Sequence, residues 1–258
     1  MNPYIRHSRS AYYAVITAIP LLLAYEMLLA FTGSGLGGQV RNAGDVWLRM
    51  LFASLDVRPA HATLAMILLL ILSVPVVKRD DLGLHAGYFA LMALEALVYS
   101  LGLGLAINVI LEFVFSAIPS SILQRVALSV GGLSAGGLSV EGLSAGGLSD
   151  NGVMQGLALS LGAGLFEEFI FRVLLLGLLL AGARVILPKQ VAGVLSVILA
   201  AFLFSLAHYI GPLGDDFTFG SFMFRFVAGL LFTGLYHLRG FAIVAYSHAL
   251  YDIRVILF

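Results

Sequence analysis

The stretch that decides the fold lies at residues 153–183 and reads VMQGLALSLGAGLFEEFIFRVLLLGLLLAGA. It is longer than the roughly 20 apolar residues that a transmembrane helix needs. Its only charged residues are Glu167, Glu168 and Arg172. Charged side chains are costly inside a bilayer, and those found there usually serve a function. The stretch therefore predicts a membrane-spanning helix that carries functional ionisable groups.

The composition of the whole chain agrees with a membrane protein. Of its 258 residues, 60% are hydrophobic and 11% are charged, which is too few charges to cover a soluble globule of this size. Fourteen basic and fourteen acidic residues cancel, so no net charge points to nucleic acid. The absence of cysteine excludes disulfides, thiolate catalysis and cysteine-based zinc sites. We predict an all-α fold, a polytopic transmembrane helical bundle.

Apolar runs of spanning length predict about seven to eight transmembrane helices. The seven runs lie at residues 11–31, 61–77, 87–115, 153–183, 190–210, 217–238 and 240–257. Two of them are longer than one span needs, which leaves room for an eighth, broken span. Residues 45–55 predict a short interfacial helix, with Trp47 and Arg49 at the level of the lipid headgroups.

The amino-terminal charges orient the predicted bundle. Arg6 and Arg9 precede the first apolar run, as in a signal peptide, but that run is longer than a signal sequence and contains Glu26. We therefore expect a retained first span. Basic residues concentrate in the short loops on the side of the amino terminus, which predicts a cytoplasmic amino terminus. The expected location is a prokaryotic plasma membrane, with the protein crossing it several times.

A pentapeptide repeat divides the chain. Residues 131–150 read GGLSA, GGLSV, EGLSA and GGLSD in succession. Glycine and serine at this density are typical of a flexible linker, although four short units could also begin a β-solenoid coil. We predict amino-terminal spans with an interfacial helix at 1–130, a linker at 131–152 and a motif-bearing core at 153–258.

Three motifs place ionisable side chains inside predicted spans of this core. They are Glu167-Glu168-Phe-Ile-Phe-Arg172, Phe204-Ser-Leu-Ala-His208 and His248-Ala-Leu-Tyr-Asp252. In an α-helix Glu168 and Arg172 share one face, which predicts an ion pair. Arg225, in a neighbouring span, is a second candidate partner for Glu168. Glu167 points roughly 100° away from its neighbour, and we expect it to act as a proton acceptor.

The two histidines add candidate imidazole groups from two further helices. Asp252 lies one turn after His248 and is predicted to orient its ring. A carboxylate and two imidazoles suit water activation, with or without a metal, so we expect Glu167, His208 and His248 to converge. Each motif also has a plainer interpretation: a structural ion pair, a packing histidine at His208, and a proton-relay pair at His248.

The ordered motifs resemble those of the CPBP family of CAAX proteases and bacteriocin-processing enzymes, also called Abi, which includes the Rce1-type endopeptidases. The resemblance covers about residues 153–257 and implies a helical intramembrane peptidase that depends on a metal or on glutamate. It implies that Glu167 activates water and that His208 and His248 are the two family histidines. The fourth family position is often asparagine, whereas Asp252 when ionised only accepts hydrogen bonds. A role in orienting His248 or binding a metal is therefore expected of it.

The predicted function is that of an intramembrane endopeptidase acting on a peptide or protein in or near the membrane, with lipid as its other partner. The predicted catalytic residues are Glu167, His208, His248 and Asp252. The predicted supporting residues are Glu168, Arg172 and Phe204. A divalent metal such as zinc would be held by Glu167, His208 and His248.

Two alternative functions come from other classes of protein. Relatives in the family resemble immunity or scaffold proteins, so the chain could be a catalytically silent membrane protein. The buried charges could also form the proton relay of a coupled carrier, in which case the relay residues are Glu95, Glu167, Glu168 and His248. Matching broken helices in two halves are typical of carriers, and the sequence has no such symmetry.

Overall fold

A computed structural model describes residues 2–32, 40–78, 83–117, 150–211 and 214–257. Within these ranges the chain is mainly helical and forms no strand, so the predicted all-α fold is confirmed. The linker predicted at 131–152 lies outside the described residues except for its last three positions.

Ten α-helices account for most of the described residues. They are α1 (Pro3–Ser8), α2 (Ala11–Thr32), α3 (Ala43–Ser54), α4 (Ala62–Val77), α5 (Ala86–Ala117), α6 (Asp150–Gly162), α7 (Leu176–Ile186), α8 (Lys189–Ala207), α9 (Phe219–Arg239) and α10 (Phe241–Leu257). A 3₁₀ turn at Pro59–His61 precedes α4. Two π-helical segments, Ala163–Glu167 and Phe169–Leu175, connect α6 to α7.

Six helical segments of the described residues are long and apolar enough to cross a bilayer. They are Ala11–Thr32, Pro59–Val77, Ala86–Ala117, Gly152–Ile186, Lys189–Ala207 and Phe219–Arg239. The seventh predicted span coincides with α10, which has 17 residues and is shorter than the other six. These helices confirm a polytopic membrane bundle.

The chain divides into two compact units. The first unit comprises Met1–Ser100, Leu143–Ile170 and Leu235–Phe258, and the second comprises Leu101–Gly142 and Phe171–Gly234. The predicted site residues divide between them. Glu167, Glu168, His248 and Asp252 belong to the first unit, and Arg172, Phe204 and His208 belong to the second.

Close backbone contact in the first unit explains how α10 reaches the glutamate pair. A Cβ atom on Gly164 would lie 2.3 Å from the carbonyl oxygen of Ala245 and 2.7 Å from Cβ of Ala249. Small residues at such contacts let helix backbones approach closely. Glu168 follows Gly164 by four residues and His248 lies between the two alanines, so the contact brings these side chains together.

Helix α3 confirms the predicted short helix and begins two residues earlier than expected. Asn42 is its N-cap, and the side chain of Asn42 accepts a hydrogen bond from the amide of Gly44. A Cβ atom on Gly44 would lie 2.8 Å from Cβ of Phe166, so α3 begins directly against the first π segment. The side chain of Arg49 is mostly buried and pairs with Glu26 and Asp45, and its position at headgroup level stays a prediction.

The π-helical segments correct the prediction of a regular helix at 153–183. A π-helix uses i→i+5 hydrogen bonds, which add a residue to each turn, and such segments are frequent at functional sites. Glu167 ends the first segment, and Glu168 separates it from the second. The predicted pairing of Glu168 with Arg172 assumed α-helical spacing, which the segment Phe169–Leu175 does not have.

Candidate functional site

The most deeply buried predicted residue contacts a histidine. Glu168 is completely buried, and its Oε1 lies 2.6 Å from Nδ1 of His248. On the other side of the ring, Nε2 of His248 lies 3.5 Å from Oδ2 of Asp252. Sequence reasoning assigned ring orientation to Asp252, yet Glu168 makes the closer contact. It was missed because it joins residues that are 80 positions apart on different helices.

The candidate base, Glu167, contacts a residue of the amino-terminal half. Nδ2 of Asn42 donates a hydrogen bond of 2.8 Å to Oε1 of Glu167, and Asn42 is only 8% exposed. Sequence reasoning did not select Asn42. The signal was present, because an asparagine just before a helix that carries Asp45 in its first turn is typical of an N-cap.

An ion network lies behind Asn42 in the first unit. Asp45 is fully buried and contacts Arg41 at 2.8 Å and Arg49 at 2.7 Å, and Glu26 pairs with both arginines. Tyr25 donates to Asp45 at 3.0 Å. Burial acts to lower the pKa of Arg41, but the hydrogen bonds that Arg41 donates to Glu26 and Asp45 raise that pKa above its ordinary value. The network therefore keeps its charges paired.

A second ion pair of the first unit involves Glu95, which was a member of the alternative carrier relay. Nη2 of Arg239 donates to Glu95 at 2.6 Å, and the hydroxyl of Tyr4 donates to the same carboxylate at 2.5 Å. Burial and this contact with Glu95 raise the pKa of Tyr4 above its ordinary value. Ser8 also accepts from Arg239, so the cluster ties α1 to α5 and α9.

The second unit holds the remaining predicted residues. His208 lies at the carboxyl end of α8, where its Nδ1 is 2.8 Å from the carbonyl oxygen of Phe204. Because a carbonyl only accepts, Nδ1 carries the proton, and Nε2 is the acceptor in the neutral ring. The ring of Phe204 packs edge-on to His208, and the guanidinium of Arg172 lies 4.3 Å from the centre of the Phe204 ring.

Arg225, the alternative predicted partner of Glu168, has partners in its own unit. It pairs with Asp215 and donates to the hydroxyl groups of Tyr209 and Ser221. The pairing of Glu168 with Arg172 stays a prediction.

The residues that are predicted to bind a metal do not all belong to the same unit. Across the ranges that the structure describes, no three histidine or carboxylate side chains form a group that could hold a metal ion. Within the first unit, Nδ1 of His248 is engaged by Glu168, and Nε2 faces Asp252. The expected metal ligands, Glu167, His208 and His248, are of types that zinc accepts. Metal binding and convergence with His208 stay predictions.

A comparison with known protein families finds a match in the part of the chain that contains the three motifs. Residues 149–254 match the family model described as type II CAAX prenyl endopeptidase Rce1-like. No curated protein and no solved structure matches the chain. The matched region contains all three motifs and agrees with the CPBP resemblance. Over residues 149–254, the chain is therefore similar to the Rce1-like family, a family of membrane proteases.

Proposed function

We propose that this protein is an intramembrane endopeptidase that hydrolyses a peptide bond with a water molecule activated by Glu167. The observation that carries the proposal is the pair of contacts at adjacent glutamates, Asn42 to Glu167 and His248 to Glu168. Both contacts lie in the region where a spanning segment changes to π-helical geometry. The similarity of residues 149–254 to a protease family supports the same chemistry.

In the proposed reaction, Glu167 takes a proton from water, and the water oxygen attacks the carbonyl carbon of the scissile bond. The carbon–nitrogen bond then breaks. The proton held by Glu167 passes to the leaving nitrogen, so the products are one carboxyl group and one amine. The reaction consumes only water and the peptide.

The histidines have a separate role, which is to stabilise the negative charge that develops on the carbonyl oxygen. A protonated imidazole donates from both nitrogens, so His248, held by Glu168 through Nδ1, can offer Nε2 to that oxygen. Asp252 faces the same nitrogen and, when ionised, can only accept. We therefore assign Asp252 to holding His248. His208 is proposed as the second imidazole of the site.

A bound divalent metal such as zinc is the alternative to the protonated imidazole, with Glu167, His208 and a neutral His248 as its ligands. Such a metal would polarise the carbonyl group of the substrate. Metal analysis of the purified protein, before and after treatment with a chelator, tests this proposal independently of cleavage.

The main experiment measures cleavage of a membrane-embedded reporter peptide by purified protein. Glu167→Gln keeps the shape of the side chain but removes its basicity, and loss of a general base typically costs on the order of 10²–10⁴ in rate. Glu112→Gln is the matched control, since Glu112 is an exposed carboxylate of α5. The control should cleave at the wild-type rate.

Equal cleavage by wild type and Glu167→Gln would contradict the peptidase proposal. If Glu167→Gln abolishes a cellular phenotype while even the wild type cleaves no reporter, the scaffold function is favoured. Proton-coupled uptake that is lost in both Glu95→Gln and Glu167→Gln would favour the carrier.

The prokaryotic plasma membrane and the cytoplasmic amino terminus are both proposals, and the orientation rests on the distribution of basic residues. Labelling of a single cysteine introduced at Ser10 tests the orientation, because the chain has no other cysteine. Labelling of this cysteine from the outer face of intact cells would place the amino terminus outside the cell and contradict the proposed orientation.

A further inference from the structure

We propose that Asn42 is a positioning residue for Glu167, so that the amino-terminal helices complete a site whose motifs all lie elsewhere. The matched family region begins at residue 149 and therefore does not include Asn42. This inference rests on the proposed function, because it concerns the group that is assigned to activate water.

Both polar atoms of the Asn42 side-chain amide make a hydrogen bond, and the two atoms cannot exchange positions. Oδ1 accepts from the backbone amide of Gly44 at 2.8 Å, in the manner of an N-cap. Nδ2 donates to Oε1 of Glu167, also at 2.8 Å. A rotated amide would point its oxygen at a carboxylate and its nitrogen at a backbone donor. The cap on α3 thus fixes the donor that faces Glu167.

The backbone of Asn42 is held as firmly as its side chain. Its amide donates to the hydroxyl of Tyr25 at 3.2 Å, and that hydroxyl donates to the buried carboxylate of Asp45. On the opposite side, Cβ of Asn42 lies 2.9 Å from the position that a Cβ atom would occupy if Gly162 carried one. Asn42 is therefore confined between the ion network and the spanning segment that carries Glu167.

Fixing Oε1 has a direct chemical consequence for the candidate base. A carboxylate can rotate about its last bonds, and a displacement of about 1 Å at a reacting group can cost on the order of a hundredfold in rate. The hydrogen bond from Asn42 restrains one oxygen and so restrains the direction of the other. We expect this restraint to act on the chemical step, not on substrate binding.

Asn42→Ser separates the two roles of the side chain. Serine is as good an N-cap as asparagine, but its hydroxyl lacks an N–H group that could reach Glu167. We expect kcat for the reporter peptide to fall by about ten- to a hundredfold with KM little changed, because the lost contact serves the transition state. The melting temperature should fall by about 2–5 °C, because the cap is kept and only the hydrogen bond to Glu167 is lost.

Two further variants serve as matched comparisons. Asn2→Ser makes the same change at the N-cap of α1, where Asn2 accepts from the amide of Tyr4. It should leave kcat and the melting temperature unchanged. Asn42→Ala removes both the cap and the donor, so its kcat should fall as in Asn42→Ser and its melting temperature by about 2–4 °C more.

The outcomes separate this inference from the proposed function. Wild-type kcat in Asn42→Ser, with an inactive Glu167→Gln, would overturn the role of Asn42 and leave the peptidase proposal intact. Full cleavage by Glu167→Gln would overturn both. A double-mutant cycle of Asn42→Ser with Glu167→Ala, read by melting temperature, tests the contact even if no reporter is cleaved. Additive shifts would overturn the inference, and non-additive shifts would support it.

Discussion

Two buried polar groups in the first unit differ in a way that separates structure from chemistry. In the ion network, the carboxylates of Glu26 and Asp45 contact the guanidinium groups of Arg41 and Arg49. In the other group, the imidazole of His248 lies between the carboxylates of Glu168 and Asp252. The network matches two acids with two arginines, whereas this group surrounds a titratable ring with acids.

The difference teaches which buried charges can take part in proton transfer. Arginine stays protonated in proteins, so a carboxylate paired with it gains stability and loses its use as a base. An imidazole changes its charge near neutral pH. Thr63 of α4 also contacts Glu26 and Arg49, so the network is suited to hold α2, α3 and α4 together. The imidazole group is suited to move protons.

The largest expected effect follows from removing the imidazole. His248→Gln should lower the rate of reporter cleavage on the order of 10²–10⁴ while folded yield in detergent is largely kept. The same substitution at the exposed His61 is the control and should have no effect. Combining His248→Gln with Glu167→Gln should cost little more than either alone, because groups that act as a unit are not additive. Additive losses would show that His248 and Glu167 act independently.

The opposite phenotype is expected in the ion network. Asp45→Asn removes a charge that is fully buried beside two arginines, and breaking a buried pair costs about 3–5 kcal/mol in the free energy of unfolding. Denaturant titration in detergent measures the loss, with the exposed Asp56→Asn as control. A stable Asp45→Asn protein that no longer cleaves the reporter would indicate that the ion network takes part in the reaction.

A smaller effect on stability should come from the close helix contact. Gly164→Ala forces a Cβ atom against the carbonyl oxygen of Ala245, and overpacking of this kind costs about 1–3 kcal/mol. Gly177→Ala meets nothing within 4 Å and should stabilise its helix by up to about 1 kcal/mol. Cleavage should fall only in Gly164→Ala, since that contact aligns Glu168 with His248. Unchanged melting of Gly164→Ala would contradict the packing argument.

The smallest effect is expected at Asp252. If it only holds His248, asparagine can still accept through its amide oxygen, and the loss of charge should cost about tenfold or less in cleavage. Metal content is measured on the same sample. A larger loss of activity together with a loss of bound metal would identify Asp252 as a metal ligand that takes part in the reaction.

The sequence predicted the parts of the fold that depend on local composition. Apolar length located the spans, and the short helix at Ala43–Ser54 was recognised from residues 45–55. The motif spacing also selected Glu167 and His248, since charged groups are rare within apolar runs. These features are local, and each is visible within about 30 residues of sequence.

The contacts that define the site could not be predicted in the same way. The π segments depend on how the helix packs, and the contact of Glu168 with His248 joins two helices, so α-helical spacing could predict neither. The bond from Asn42 to Glu167 joins positions 125 residues apart, and a single sequence carries no periodicity over such a distance. Nothing in the motif spacing pointed to the close approach between Gly164 and α10.

The bond between Asn42 and Glu167 also orders events during synthesis. Helix α3 leaves the ribosome before the segment that carries the glutamate pair, because translation proceeds from the amino terminus. The carboxylate therefore enters the membrane when its amide donor is already present. A nascent chain that stops short of α10 has Asn42 and Glu167 but lacks His248, so the proposed enzyme stays inert toward neighbouring proteins until α10 has been made.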